Sequence, residues 1–380
     1  MVSSTRCCAS NLVRKASSDR SRPPKSEVGD PGEGRDQPSS RTVARLTRAT
    51  APKRAYGRVR AVPRVSIGLP VHNGERYLAD SLESLLCQSF EDFELIISDN
   101  ASTDGTAEIC RHYASQDRRI RYFCQPNNIG SAPNHNFVIM KASGELFKHA
   151  SHDDRYAPEL LERCVEVLDE CPRVVLAHSW SSVIDSTDTV QRLVDYTVAT
   201  DALRAPDRFR SMLFDGWGDD EGGVVRTSVL RRTRLHGSYH FADRVLTAEL
   251  ALYGPFHMVP ERLYFRREHG GQSGAMAGVR DRCSILDPRR ANRMRHPIVR
   301  LYGEYLFGYI LAIQRAPVSD GDRRECYRTL ARWTTGRFGP VARRTVTREG
   351  LRRPEVASSH DAATQAPARP QPAERARKQA

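Results

Sequence analysis

The sequence predicts an α/β protein built around a parallel sheet, and three observations carry that reading. From Val65 to Ala177, short β-branched runs alternate with stretches of ten or more residues whose apolar side chains recur at helical spacing. Pro, Gly, Asn and Asp punctuate the joints between them. Four polar loops, at Asn73-Gly74, Asp99, Asn127-Asn128 and Asp153-Asp154, fall at strand ends or beside them. In open sheets of this kind, ligands bind outside the carboxyl ends of the strands.

Taken in order, Val65 to Val71 reads as a strand closed by Pro70 and Asn73-Gly74. Glu75 to Leu86 reads as a helix carrying Tyr77, Leu78, Leu82, Leu85 and Leu86 on one face. Phe93 to Ser98 is a second strand ending in Asp99, and Asp104 opens a helix through Tyr113. Ile120 to Phe123 is a third strand, followed by a turn at Asn127 to Gly130. A helix from Ala132 to Ala142 stops at Gly144, and Leu146 to Ala150 is the fourth strand. A helix from Pro158 to Glu170, with Pro in its first turn, and a strand at Val174 to Ala177 complete the alternation. Beyond this the pattern loosens. Ser179 to Val198 suggests short strands and turns, Pro206 to Phe214 a helix, and Trp217 to Gly223 a polar loop before a strand at Val224 to Arg226. A helix follows Phe241-Ala242-Asp243, and His257 to Arg266 suggests strand, turn, strand before His269. Pro297 to Arg315 is an apolar helix, best read as packed; the second reading is an interfacial helix, because arginines precede it.

The formal net charge of +13 is unevenly placed. Residues 1–62 carry about +9, residues 278–349 about +9 and residues 350–380 about +3, which leaves 63–277 at about −8. Nucleic acid is therefore not an expected partner: the region with the polar loops is acidic. Residues 1–62 and 350–380 are rich in Arg, Pro, Ser, Ala or Gly and poor in large apolar residues, and are expected to be disordered. The domain reading is thus a core at 63–277 and a basic helical extension at 278–349. Nine cysteines without a CxxC pair suggest buried free thiols and a reducing, cytoplasmic compartment. No apolar run reaches the length of a membrane span.

Two adjacent acids ahead of Pro158 would, alone, read as a helix cap. Their place as the last of four ordered loops favours another reading, in which a carboxylate holds a divalent cation and the cation a diphosphate.

These motifs resemble glycosyltransferase family 2. Val65 to Glu75 is similar to that family's opening strand and loop, and Glu94 to Thr106 to its second-strand motif. Asn127 to Gly130, Asn136 and Ala142 to Glu145 match the next elements, and the acidic turn its DxD-type motif. The resemblance, over roughly residues 63–275, implies a GT-A type nucleotide-binding α/β/α sandwich with a mixed central sheet. It implies inverting transfer of a sugar from a nucleotide-diphosphate donor, UDP-linked first of all, with Mg²⁺ or Mn²⁺. Glycan, lipid-linked or small-molecule hydroxyls are the expected acceptors, at the inner face of the membrane if the basic extension touches anionic lipid. Carried over residue by residue, Pro70, Val71, Asn73 and Glu75 line the nucleotide edge, and Asp99 accepts from the base. Asp154 binds the metal, Asp153 lies near it, the donor sugar or the ribose, and Asp243 is the general base, its alternative being a helix cap. His269 is a further metal or diphosphate contact, or a structural residue. Ser151 departs from the pattern, since relatives often carry an acid there, and His152 is expected to face solvent. Two rivals are a non-catalytic nucleotide-sugar-binding protein and a sugar-1-phosphate nucleotidyltransferase. The second lacks its basic glycine-rich loop here, since no Lys or Arg precedes Arg76 in Leu69 to Glu75.

Overall fold

The computed structural model describes residues 62–338 except 195, 197, 216–221 and 271–277. The expected loop at Trp217 and the segment after Gly270 therefore lie largely outside the described residues, as do both tails. The chain divides into two compact units, residues 1–335 and 336–380, and every side chain described belongs to the first.

The first half runs β1 (Val65–Val71), α1 (Glu75–Leu86), β2 (Phe93–Asp99), α2 (Thr106–Gln116), β3 (Ile120–Cys124), α3 (Ser131–Lys141) and β4 (Leu146–His149). These four strands are parallel, in the spatial order β3-β2-β1-β4. The register sets Val71 beside Asp99 and Gly68 beside His149, so the polar loops after the strands share one edge. Period-2 alternation divides β1 between two layers. Val65, Ile67, Leu69 and Val71 join Leu78 and Leu82 of α1 on one face. On the other face Gly68 lets Phe147 and Val138 of α3 close in, since a Cβ there would meet them at 2.6 and 2.7 Å.

The second half makes the sheet mixed. It holds β5 (Arg155–Tyr156), α4 (Leu160–Glu170), β6 (Leu176–Ile184), β7 (Val190–Val194), α5 (Ala205–Phe214), β8 (Val224–Arg226), α6 (Thr227–Leu230), α7 (Ala242–Tyr253) and β9 (Phe256–Arg267). Beyond β4 the order is β8-β6-β9-β5, with β7 paired to β6; β8 is antiparallel to β4 and β6, and β9 parallel to β6. Helices α1, α2 and α4 cover one face, and α3, α5 and α7 the other. The result is the α/β/α sandwich with a mixed sheet.

Several local expectations need correction. Ser179 to Ile184 is not short strands and turns but part of one strand, β6, whose Ser181 and Ser182 are buried between paired neighbours. The expected strand–turn–strand at His257 to Arg266 is also one strand; the pairing steps from Val259 to Arg262, so Pro260-Glu261 bulges out without ending β9. The helix expected at Pro158 begins at Leu160, and Arg155-Tyr156 pairs with β9 instead. Free thiols are found at Cys110, Cys124, Cys164, Cys171, Cys283 and Cys326, but Cys87 is disulfide-bonded, against the expectation.

The C-terminal helices are α8 (Val279–Leu286), a 3-10 turn (Pro288–Ala291), α9 (Ile298–Arg315) and α10 (Asp320–Phe338). Tyr305 and Tyr309 of α9 and Trp333 of α10 are buried in the same apolar cluster as Phe209 of α5 and Leu246 of α7. The extension thus completes the sandwich's second layer. Among the described residues no helix is long and apolar enough to cross a membrane.

Candidate active site at the carboxyl edge of the sheet

The first part of the edge is a cradle made by two loops that bind each other. Asn73 takes a left-handed backbone, φ 52°, which Asn tolerates better than most residues. Its N–H donates to Ser102 Oγ at 2.9 Å, and its Oδ1 accepts from the Thr103 N–H at 2.9 Å. The Gly74 N–H donates to Thr106 Oγ1 at 2.8 Å, and Glu75 Oε2 accepts from the Gly105 N–H at 3.0 Å. Asn73 and Glu75 therefore fix the loop's shape. Pro70 and Val71 are buried, and the Val71 carbonyl accepts from the Asn100 N–H at 2.8 Å. Asp99 is fully buried at the end of β2, where Oδ1 accepts from the Ser102 N–H and Oδ2 from the Tyr122 hydroxyl, each at 2.9 Å. Each carboxylate oxygen keeps a second acceptor direction. Of the segment that carried the resemblance after β3, Asn128 bonds Asn100 at 3.0 Å, while Asn136 bonds the backbone of His236.

The second part is the acidic turn between β4 and β5. Its two carboxylates are held quite differently. Asp154 is buried; Oδ1 accepts from the Arg267 N–H at 2.8 Å and Oδ2 from the Tyr264 hydroxyl, so both oxygens are turned toward β9. Asp153 accepts from the Ser151 hydroxyl on Oδ1, and its Oδ2 lies 3.1 Å from His269 Nε2. Burial works to raise its pKa, but the His152 charge, the Ser151 hydroxyl and His269 outweigh that and hold it below the usual carboxylate range. Ser151 thus stands as a donor to Asp153 where an acid was expected. Arg267 is buried, 1% exposed; it donates to the Asp153 carbonyl and to Asp188, and lies over the Tyr77 ring. His152 is half-buried; its ring packs against Gly74, where a Cβ would meet it at 2.6 Å.

The third part was not foreseen. His135 of α3, His149 at the end of β4 and His236 before α7 form a cluster with ring centroids 4.5 Å (135–149), 4.9 Å (135–236) and 5.7 Å (149–236) apart. Burial lowers the pKa of all three, that of His236 to about 3. They are neutral imidazoles at neutral pH. His149 Nε2 is buried without a hydrogen-bond partner among the described residues. His135 and His149 stack at 18°, and two nearly parallel rings cannot aim in-plane lone pairs at one ion, so the cluster is not built as a metal site. Asp243 is exposed in the first turn of α7, and its charge is felt at His135. It makes no side-chain cap; the helix starts after Phe241, itself at φ 59°.

Would a divalent ion fit? Among the described residues no three His, Cys, Asp or Glu side chains converge on one point. Asp153 and His269 do come together, and Mg²⁺ commonly takes one or two carboxylates with the rest of its shell from phosphate and water. The pair fits such a sparse shell.

The layered fold, with an acidic turn on the carboxyl edge of a mixed sheet, defines a GT-A type sandwich. The chain belongs to glycosyl transferase family 2, whose model matches residues 66–236. Glycosyltransferase GlyG of Streptococcus pneumoniae is 32% identical over 204 residues, which are 53% of this chain and 67% of that protein. Putative glycosyltransferase EpsE of Bacillus subtilis is 38% identical over 109 residues, 28% of this chain, and the chain spans 39% of its length. Among solved structures, S. aureus TarS 1–349 in complex with UDP-GlcNAc matches with TM-score 0.56 at 17% identity, over 73% of this chain and 74% of that one, a likeness of fold. Asp243 and His269 lie outside the segment matched by the family model.

Proposed function

We propose that the chain is a metal-dependent inverting glycosyltransferase that moves a sugar from a nucleotide-diphosphate donor, UDP-linked, to a hydroxyl of a glycan, lipid-linked or small-molecule acceptor. The observation that carries this is the acidic turn, which holds Asp153 ionised beside His269 on the same sheet edge as the cradle around Asp99. Membership of the family supports the reaction class, and the UDP-GlcNAc complex of TarS supports uridine as the donor base.

In this reading Asp99 receives N3–H of the base on an unused lone pair, and the backbone of the 70–75 loop lines the nucleotide. Asp153 and His269 would hold Mg²⁺ or Mn²⁺, with Asp154, whose oxygens brace β9, beside them. When bound, such an ion would supply positive charge to the leaving diphosphate. Asp243 takes the acceptor's proton as its oxygen attacks C1 from the face opposite the diphosphate. The exposed position of Asp243 leaves room for an acceptor to approach. The chain works from the cytoplasmic side in peripheral contact with an anionic membrane, a reading supported by the arginines ahead of α9.

A screen of nucleotide sugars for thermal stabilisation and turnover fixes the donor. With that donor, Asp243→Asn keeps donor binding and lowers kcat roughly 10²–10⁴-fold, the usual weight of a general base. Undiminished turnover would assign the base elsewhere.

A further inference from the structure

Helix α9 is apolar on both sides. Leu301, Tyr305 and Ala312 face the core. On 3.6-residue geometry Val299, Gly303 and Phe307 fall on the opposite side. Val299 is 78% and Phe307 55% exposed, and nothing lies within 4 Å of a Cβ placed on Gly303. Just before the helix, Met294 is 92% exposed. The other exposed large apolar residues are spread singly along the chain, whereas Met294, Ile298, Val299 and Phe307 fall within fourteen residues. Large apolar side chains exposed together beside Arg300 and Gln314 call for a cover.

The charge around this face says which cover. From Pro288 to Gly303 there are five arginines and no acid. Arg289, Arg293, Arg295 and Arg300 are exposed. The nearest acids, Asp287 and Glu304, pair with Arg289 and with Arg290 and Arg300, so residues 287–304 keep a net charge of +3 (five Arg less two acids). Beside the patch Arg289, Arg290, Arg295 and His296 line a hollow of about 540 Å³. A cationic cuff around protruding apolar side chains suits an interface whose surface is anionic and whose interior is hydrocarbon. We infer that residues 288–307 are an interfacial docking face for an anionic phospholipid bilayer, with Met294, Val299 and Phe307 entering the acyl boundary and the arginines meeting phosphate headgroups.

The face bears on substrate as well. Gly308 of α9 packs against Tyr239, just ahead of α7, and Tyr305 lies 5.7 Å from Phe241 at its start. On the reading given above for Asp243, which this step rests on, α9 lies between the docked surface and the start of α7, an arrangement that suits a lipid-carried acceptor.

Co-sedimentation of the full chain with phosphatidylglycerol-containing vesicles, against pure phosphatidylcholine vesicles, tests the face at near-physiological salt. The anionic vesicles bind at least tenfold more protein. Val299→Glu with Phe307→Glu, both at exposed positions, removes at least tenfold of that binding, and Arg293→Glu with Arg295→Glu does the same. UDP calorimetry on the same variants stays unchanged. Equal binding to both vesicles, or binding that survives both pairs, overturns the inference and assigns any attraction to the basic tails. A dimer that Val299→Glu with Phe307→Glu dissociates, with vesicle binding unaltered, overturns it in favour of a second copy. Failure of the nucleotide to bind would sink the transferase reading and leave the docking face standing.

Discussion

Asp153 and Asp154 are neighbours in sequence and opposites in chemistry. Asp154 is a bracket: its carboxylate accepts from the Tyr264 hydroxyl and the Arg267 N–H, and each hydrogen bond lost with it would cost about 1–3 kcal/mol. Asp153 keeps its charge beside a histidine, held below the usual carboxylate range by His152, the Ser151 hydroxyl and His269. The histidine cluster makes a prediction at this same scale. The pKa of His236 falls from its ordinary 6.5 to about 3 on folding, so between those values the unfolded chain binds the extra proton. Its contribution to stability is complete above pH 6.5 and is lost as pH falls toward 3, amounting to about 2 kcal/mol by pH 5. Urea midpoints at pH 7 and pH 5 should therefore separate less in His236→Gln than in the parent chain. Equal separations would contradict an enclosed neutral imidazole at 236.

At the scale of elements, α9 and α10 hold together through rings. Trp333 meets Tyr305 and Tyr309 edge-on at centroid distances of 5.9 and 5.7 Å, and all three are buried. Trp333→Ala should cost about 3–5 kcal/mol, as core Trp truncations do, and lower the Tm of the whole unit. A separate early transition with the main one unmoved would contradict a shared core. The sequence showed the first half of the fold well. The strands through β4 are β-branched runs closed by polar turn residues, and their order fixes which loops share an edge. It misled where tertiary context overrode composition. The serines of β6 resemble a loop yet lie inside a sheet paired on both sides, and Pro260-Glu261 resembles a turn yet only bulges. The helix α10 was hidden by its many arginines. Of the site, the acidic turn, Asp99 and the 73–75 loop were visible as motifs. The direction of each carboxylate was not, because it depends on β9 more than a hundred residues away. No motif marks His135, His149 and His236, which only the fold brings together.

For the molecule as a whole, the charge map and the fold agree. The acidic core, about −8 over residues 63–277, carries the sheet edge, and the basic charge of residues 278–349 begins at the helices that complete the second layer. On the docking proposal, these two regions serve a soluble nucleotide sugar on one side and a bilayer on the other. The claim beneath all of this is that the edge binds a nucleoside diphosphate through a cation held by Asp153. Calorimetry of UDP with the full chain, with and without Mn²⁺, tests it most directly. Binding should strengthen at least tenfold with Mn²⁺ and lose that gain in Asp153→Ala; affinity equal with and without the ion, or a gain that Asp153→Ala leaves intact, would rule out a cation held by Asp153.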